Sequence, residues 1–330
     1  MAKDNIVFSN PPCISAFAAI GGKKESEGPL SSSFDAIFAD TKCGQSTWEK
    51  AESIFQRHSI EQLLNKRGVK LSDVNAVFAG DLQCQCTASA YAMRSLDVPF
   101  FGLYGACSTM AEGIILAASM VAGNIMRRAI AMSSSHFCAA ERQYRTPLDY
   151  GGKRTPTSQW TVTSAGSVMI EAGSLGPHIL SVSTGRVCDF NVKDINNMGA
   201  AMAPAAANTL LQYFADTSYA PSDFDAIFTG DLGAVGSTLM LDLLDKEGLH
   251  IKNHEDCGLL VYDKNTQKVQ AGGSGAGCSA AVLSALVLPK LQKKEYKRVL
   301  FLSTGALMSQ TTFLQGESIP GIAHLLELGI

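Results

Sequence analysis

One segment of this chain occurs twice. Val74-Asn-Ala-Val-Phe-Ala-Gly-Asp-Leu82 returns as Phe224-Asp-Ala-Ile-Phe-Thr-Gly-Asp-Leu232, with Ala, Phe, Gly, Asp and Leu in the same places. The surroundings repeat with it. A Ser-Asp turn precedes each copy, at Ser72-Asp73 and Ser222-Asp223. Before each turn the apolar spacing predicts an amphipathic helix. The first starts at Ser46, where Glu49 completes a capping-box pattern, and runs through Ala51, Ile54, Phe55 and Leu63. The second runs from Ala200 to Phe214. After each copy come a helix and an apolar strand, Val98 to Tyr104 or Gly258 to Tyr262. A small-residue turn then leads into an Ala-rich helix, at Cys107 in one half and after Gly272-Gly-Ser-Gly-Ala-Gly-Cys278 in the other. A basic turn opens the next strand, Arg127 to Ser133 or Lys297 to Ser303, and Ser164 to Glu171 or Gly321 to Leu328 closes each half.

Strands alternating with helices imply right-handed crossovers and mostly parallel sheets. The repeat therefore predicts a duplicated α/β fold, with halves at 1–175 and 176–330. Two sheets would pack around shared central helices. The Ala and Gly of those helices let them lie close between sheets. No low-complexity linker separates the halves, so one compact unit is expected.

Composition narrows the function. Apolar residues make up 46% of the 330-residue chain and the net charge is −3, which argues against general nucleic-acid binding. No apolar run reaches the ~18 residues of a membrane-spanning helix. Met1-Ala-Lys-Asp-Asn5 lacks the basic and apolar regions of a secretory leader. Nine Cys without regular spacing predict reduced thiols rather than disulfides or zinc. Gly272-Gly-Ser-Gly-Ala-Gly277 lacks the Lys-Ser/Thr of a phosphate loop, so close helix packing explains it better.

Cys107 follows a strand and a Gly-Ala turn at a helix start. Free N–H groups there favour a thiolate and could hold an oxyanion. The alternative is a buried structural Cys. A nucleophile needs a base. His136, at the C-terminal end of its strand, and His324, in the last strand, are the candidates, each with a structural role as the alternative. His58, His178, His250 and His254 read as structural or solvated. After His136 the chain is polar, with Glu141, Arg142, Arg145, Lys153 and Arg154 before the next strand. This is either a solvated loop or a rim that receives an anion, since Arg suits carboxylates.

Gly105-Ala-Cys-Ser-Thr109 resembles the nucleophile motif of the thiolase and β-ketoacyl synthase superfamily. Within it, the chain is most similar to the stage V sporulation protein AD family of endospore-forming bacteria. The resemblance rests on segments in both halves. They include Phe101 to Thr109, Ser133 to Arg145, Met198 to Ala206, Asn253 to Gly258 and Glu317 to His324. It implies a thiolase-like fold, two βαβαβαββ halves forming a five-layered αβαβα sandwich, and a dimer. It also implies a non-catalytic part of the SpoVA system that binds dipicolinic acid (pyridine-2,6-dicarboxylate) for movement across the inner spore membrane. No cofactor is implied, and Ca²⁺ would enter only as the dipicolinate chelate. Attachment to the membrane would run through other SpoVA proteins.

The enzymes of the superfamily carry a His after a second-half strand and an Asn in a later turn. Ile227-Phe-Thr-Gly-Asp-Leu-Gly-Ala234 has no His, and Gly272-Gly-Ser-Gly275 has no Asn. Losing both removes on the order of several kcal/mol of transition-state stabilisation. The expected pocket for dipicolinate comprises Cys107, Tyr104, His136, Glu141, Arg142, Arg145, Gly321 and His324. Tyr144 is a further candidate to border the ring. The alternative is a cysteine-dependent acyltransferase that pairs Cys107 with His324 or His136.

Overall fold

Ten strands carry the two copies. They are β1 (Cys13–Gly22), β2 (Ala76–Gly80), β3 (Phe100–Gly102), β4 (Arg128–Ser135), β5 (Ser164–Glu171), β6 (His178–Ser183), β7 (Ala226–Thr229), β8 (His254–Asp256), β9 (Arg298–Ala306) and β10 (Gly321–Gly329). The structure is a computed structural model and describes residues 4–144 and 154–330. The first five strands lie in the order β1-β5-β4-β2-β3, and the last five in the matching order β6-β10-β9-β7-β8. The pairings match as well. β2 runs parallel to β3 and β4, as β7 does to β8 and β9. β5 closes the first half antiparallel to β4 and β1, and β10 closes the second antiparallel to β9 and β6. The halves meet where β1 touches β6, at Cys13 and His178.

Helices fill the layers around these sheets. α1 (Trp48–Arg67) and α2 (Thr87–Met93) cover one outer face; α3 (Thr109–Ala122) lies between the sheets. α4 (Phe137–Tyr144) follows β4. α5 (Met198–Asp216) and α6 (Gly233–Lys246) cover the other outer face. α7 (Ala276–Val282, extended by a π turn over Leu283–Val287) joins α3 in the middle. The result is a five-layered α/β sandwich. Every residue of β4 is buried, as expected for a strand covered on both faces.

Three apolar cores follow from the layers. Ile60 and Leu63 of α1 pack on Val77, Ile130 and Met132. Leu210 of α5 packs on Ile227, Leu300 and Leu325. Met110 and Ile114 of α3 fill the centre with Phe78, Phe228 and Phe301. Truncating a fully buried residue such as Ile114 to Ala costs about 2–5 kcal/mol. The central helices sit close to the strands. A Cβ on Gly166 would fall 2.3 Å from the Ala280 carbonyl oxygen. One on Gly277 would fall 2.6 Å from that of Ser164, so close packing does explain this Gly-rich turn.

The structure shifts some expected boundaries. Thr47, not Ser46, caps α1, accepting from the Lys50 N–H at 3.3 Å. The strand expected over Val98 to Tyr104 is only Phe100–Gly102. The strand expected over Gly258 to Tyr262 is mostly a helical turn, Cys257–Leu260, and the strand is His254–Asp256. A short buried apolar run fits either state, so periodicity alone cannot choose.

Candidate functional site

Cys107 sits on a tight elbow between β3 and α3. A 3-10 turn, Ala106–Ser108, precedes α3, and Ala106 is held at φ +51°. A non-glycine residue there is strained, and such strain persists only where surrounding contacts enforce it. Two of the contacts are local. Ser108 donates to the Gly105 carbonyl at 2.6 Å, and Thr109 donates to that of Ala106 at 2.8 Å. Gly305 of β9 presses on the same turn, since a Cβ there would lie 2.3 Å from the Gly105 carbonyl oxygen.

The elbow aims the Cys107 thiol at Asp231, Ser274 and the Gly275 N–H. Asp231 is the penultimate residue of the second copy of the repeat, just past β7. Its carboxylate accepts from the Ser274 hydroxyl at 2.8 Å, the Gly275 N–H at 2.9 Å and the Thr304 hydroxyl at 2.8 Å. These donors occupy most of its acceptor capacity. Even so, burial pushes the Asp231 carboxyl up, and the donors only partly oppose this. Burial first, and Asp231 second, push the Cys107 thiol well above its ordinary value. The thiol therefore stays protonated near neutral pH, whereas attack requires the thiolate.

A cavity of about 100 Å³ opens beside Cys107. Its walls are largely apolar, with Leu82, Ile195, Met198, Met202, Ala306 and Met308 among them. Tyr144, Glu141, Asn196, Thr161, Gln159 and Ser274 add polar groups. Tyr144 donates to the Leu82 carbonyl at 2.6 Å, and Glu141 pairs with Arg154 at 2.9 Å. Arg154 also lies over the Trp160 ring, 4.8 Å from its centroid. Gln159 donates to the carbonyls of Asp231 at 2.7 Å and Gly273 at 2.9 Å, which fixes its amide.

A sequence profile described as "Stage V sporulation protein AD (SpoVAD)" matches residues 2–329. The Stage V sporulation protein AD of Bacillus subtilis (strain 168) is 40% identical over 323 residues, 98% of this chain and 95% of that protein. The chain belongs to the stage V sporulation protein AD family. Two solved structures share its fold. The 3-oxoacyl-[acyl-carrier-protein] synthase III of Aquifex aeolicus VF5 superposes with TM-score 0.58 at 10% identity, over 97% of this chain and 100% of that one. OleA of Xanthomonas campestris, with cerulenin, superposes with TM-score 0.61 at 12% identity, over 100% of both chains. At such identities the likeness shows the fold alone, and that fold is thiolase-like.

In this SpoVAD-family chain the expected site residues separate. Among the described residues, Cys107 and Glu141 line the cavity. Tyr104 lies just outside it, its hydroxyl 2.9 Å from that of Tyr144. Arg142 is absent from the lining and pairs with Glu49 of α1. Arg145 falls outside the described residues.

His136 does not serve Cys107. Its Nδ1 accepts from the Cys138 N–H at 3.2 Å, so its Nε2 donates to the Thr41 carbonyl at 2.9 Å. Its ring packs against Trp48, in a different cavity. His324 accepts the Gly185 N–H at 3.1 Å through Nδ1, and burial pushes its pKa down to about 4. It lies outside the cavity lining, as does Gly321, whose backbone bridges to Cys188. His254, expected in solvent, is half-buried, with its Nε2 2.8 Å from the Thr229 hydroxyl.

Sequence reasoning records the missing His and Asn but does not single out Asp231 and Ser274, which stand beside the thiol. The signal was present: Asp231 belongs to the repeated Gly-Asp-Leu and to the same Ile227 to Ala234 stretch.

Proposed function

We propose that the chain is a non-catalytic, thiolase-fold component of the SpoVA system that binds dipicolinic acid beside Cys107. The arrangement beside the thiol supports the non-catalytic half: Asp231 already accepts from Ser274 and Gly275, and neither His136 nor His324 lines the cavity. Family membership supports the ligand. The cavity offers it apolar ring walls in Met198, Met202 and Met308. Asn196, Thr161 and Tyr144 are hydrogen-bonding groups on its wall, and Arg154 stands behind Glu141. Small-ligand sites commonly have this mixture. Calcium would arrive with the ligand, as its chelate. A homodimer and docking to membrane-embedded SpoVA proteins complete the proposal. Among the described residues no helix is long and apolar enough to cross a membrane.

Calorimetry with pyridine-2,6-dicarboxylate, with and without Ca²⁺, tests the binding. Saturable binding is expected, weakened at least about tenfold by Ala306→Trp, which fills the cavity. Unchanged affinity in that variant would remove the site. Incubation with an acyl-CoA followed by intact-protein mass spectrometry tests the acyltransferase alternative. No adduct is expected; an acyl group on Cys107, lost in Cys107→Ser, would overturn the non-catalytic reading.

A further inference from the structure

The second cavity, of about 280 Å³, lies beside the turn after β1 and the start of α4. Glu25 is its most unusual wall, being only 1% exposed. One carboxylate oxygen, Oε1, accepts from the Thr163 N–H at 2.9 Å and from the Tyr262 hydroxyl. The other, Oε2, is buried without a hydrogen-bond partner. A Cβ built on Gly22 would lie 2.8 Å from Oε2, 3.0 Å from Thr41 Cγ2 and 3.1 Å from Thr163 Cγ2. Oε2 and the methyls of Thr41 and Thr163 thus all face Gly22, and Glu25, Thr41 and Thr163 are walls of this cavity.

A buried acceptor without a donor costs roughly 1–3 kcal/mol. A ligand donor would recover that cost, and an ammonium would do so best. Burial pushes the Glu25 carboxyl up, while the donors at Oε1 and the neighbouring Lys24 favour its ionised form. The remaining walls suit the rest of such a ligand. Lys24 donates to the Gln267 carbonyl at 2.8 Å, with its ammonium 4.4 Å from the Trp160 ring centroid. Lys23 is exposed beside it, and Phe137 stacks on Trp160 at 4.0 Å. Both ring nitrogens of His136 are already engaged. Glu27, exposed at the rim, keeps the mouth from being strongly cationic.

We propose that this cavity is a second ligand site, which takes a small zwitterion with its ammonium on Glu25 and its anionic group at Lys23 and Lys24. The site is independent of the one at Cys107. Both tryptophans of the chain report on it, since Trp160 lines the cavity and Trp48 packs on His136.

Intrinsic fluorescence titrated with β-alanine is the test. A saturable change in the millimolar range is expected, a reasonable strength for a ligand of so few atoms. Propionate and propylamine, each carrying one of the two charges, should bind at least about tenfold more weakly, as should trimethylated β-alanine, which has no N–H. Glu25→Gln should weaken β-alanine about tenfold. Lys23→Ala, a surface change that spares the core, should weaken it several-fold. No saturable change with β-alanine would overturn the site. Equal binding of propylamine would overturn its zwitterion selectivity, and unchanged affinity in Lys23→Ala would remove the anionic subsite.

Discussion

Asp81 and Asp231 occupy the same place in the two halves, yet their surroundings differ. Asp81 is satisfied within its own half. It accepts from the Gln83 N–H at 2.8 Å, the Ser89 N–H at 2.8 Å and the Ser89 hydroxyl at 2.7 Å. Its neighbour is another buried acid, Glu52, whose carboxyl is pushed well up by burial and then by Asp81. Asp231 reaches the other half and faces Cys107. The repeat thus conserves a buried carboxyl after each second strand and changes what that carboxyl touches. In the first half it ties the start of α2 to the sheet. In the second it holds the Gly-rich turn of α7 and, after burial, adds to the upward push on the thiol.

Removing each acid should separate these roles. Asp231→Ala strands three donors, two of them buried on Gly275 and Thr304 and one half-buried on Ser274. A loss on the order of 3 kcal/mol is expected in urea unfolding. Asp81→Ala also strands three donors, but it relieves Glu52 of a like charge. The net loss should be smaller, about 1 kcal/mol. Equal losses would mean that the Glu52 pairing carries no energetic weight.

The thiol gives a sharper contrast. Asp231→Asn keeps the side-chain volume and removes the acid that raises Cys107. A raised thiol pKa confines the thiolate to high pH. The rate–pH profile for iodoacetamide alkylation of Cys107, read by peptide mass spectrometry, should therefore move to lower pH in this variant. At fixed pH about a tenfold faster rate is expected, one unit of pKa. Asp81→Asn should leave the profile in place. If Asp231→Asn does so too, burial alone controls the thiol and Asp231 has no electrostatic hold on it.

This contrast marks how far the sequence could be read. The repeated segment was legible because a strand, a turn and a helix spacing are local patterns written twice. Cys107 was legible as an elbow, since a strand, a Gly-Ala turn and a helix are contiguous. Its neighbours were not, because Asp231 and Ser274 arrive from the other half through packing of α7 between the sheets. His136 misled for a related reason: its strand ends at the expected edge, but its ring turns to Thr41 and Trp48. Arg142 reads in sequence as a partner for an anion, and in the fold it pairs with Glu49 on α1. Charge in sequence gives supply; only the fold gives pairing.

The smallest expected effects concern the helices that precede each copy. Thr47 caps α1, and Asn197 caps α5 by accepting the Ala200 N–H at 3.3 Å. Replacing either cap by Ala should cost about 1 kcal/mol in urea unfolding. Their functional consequences should differ. Asn197 is flanked by Asn196 and Met198, both walls of the Cys107 cavity, whereas Thr47 is not part of that lining. Asn197→Ala frays the first turn of α5 and should weaken dipicolinate binding two- to threefold in calorimetry, roughly half a kcal/mol. Thr47→Ala should leave that affinity unchanged. If the two variants weakened binding equally, the cavity would be responding to global stability, and the start of α5 would lose its distinct place at the site.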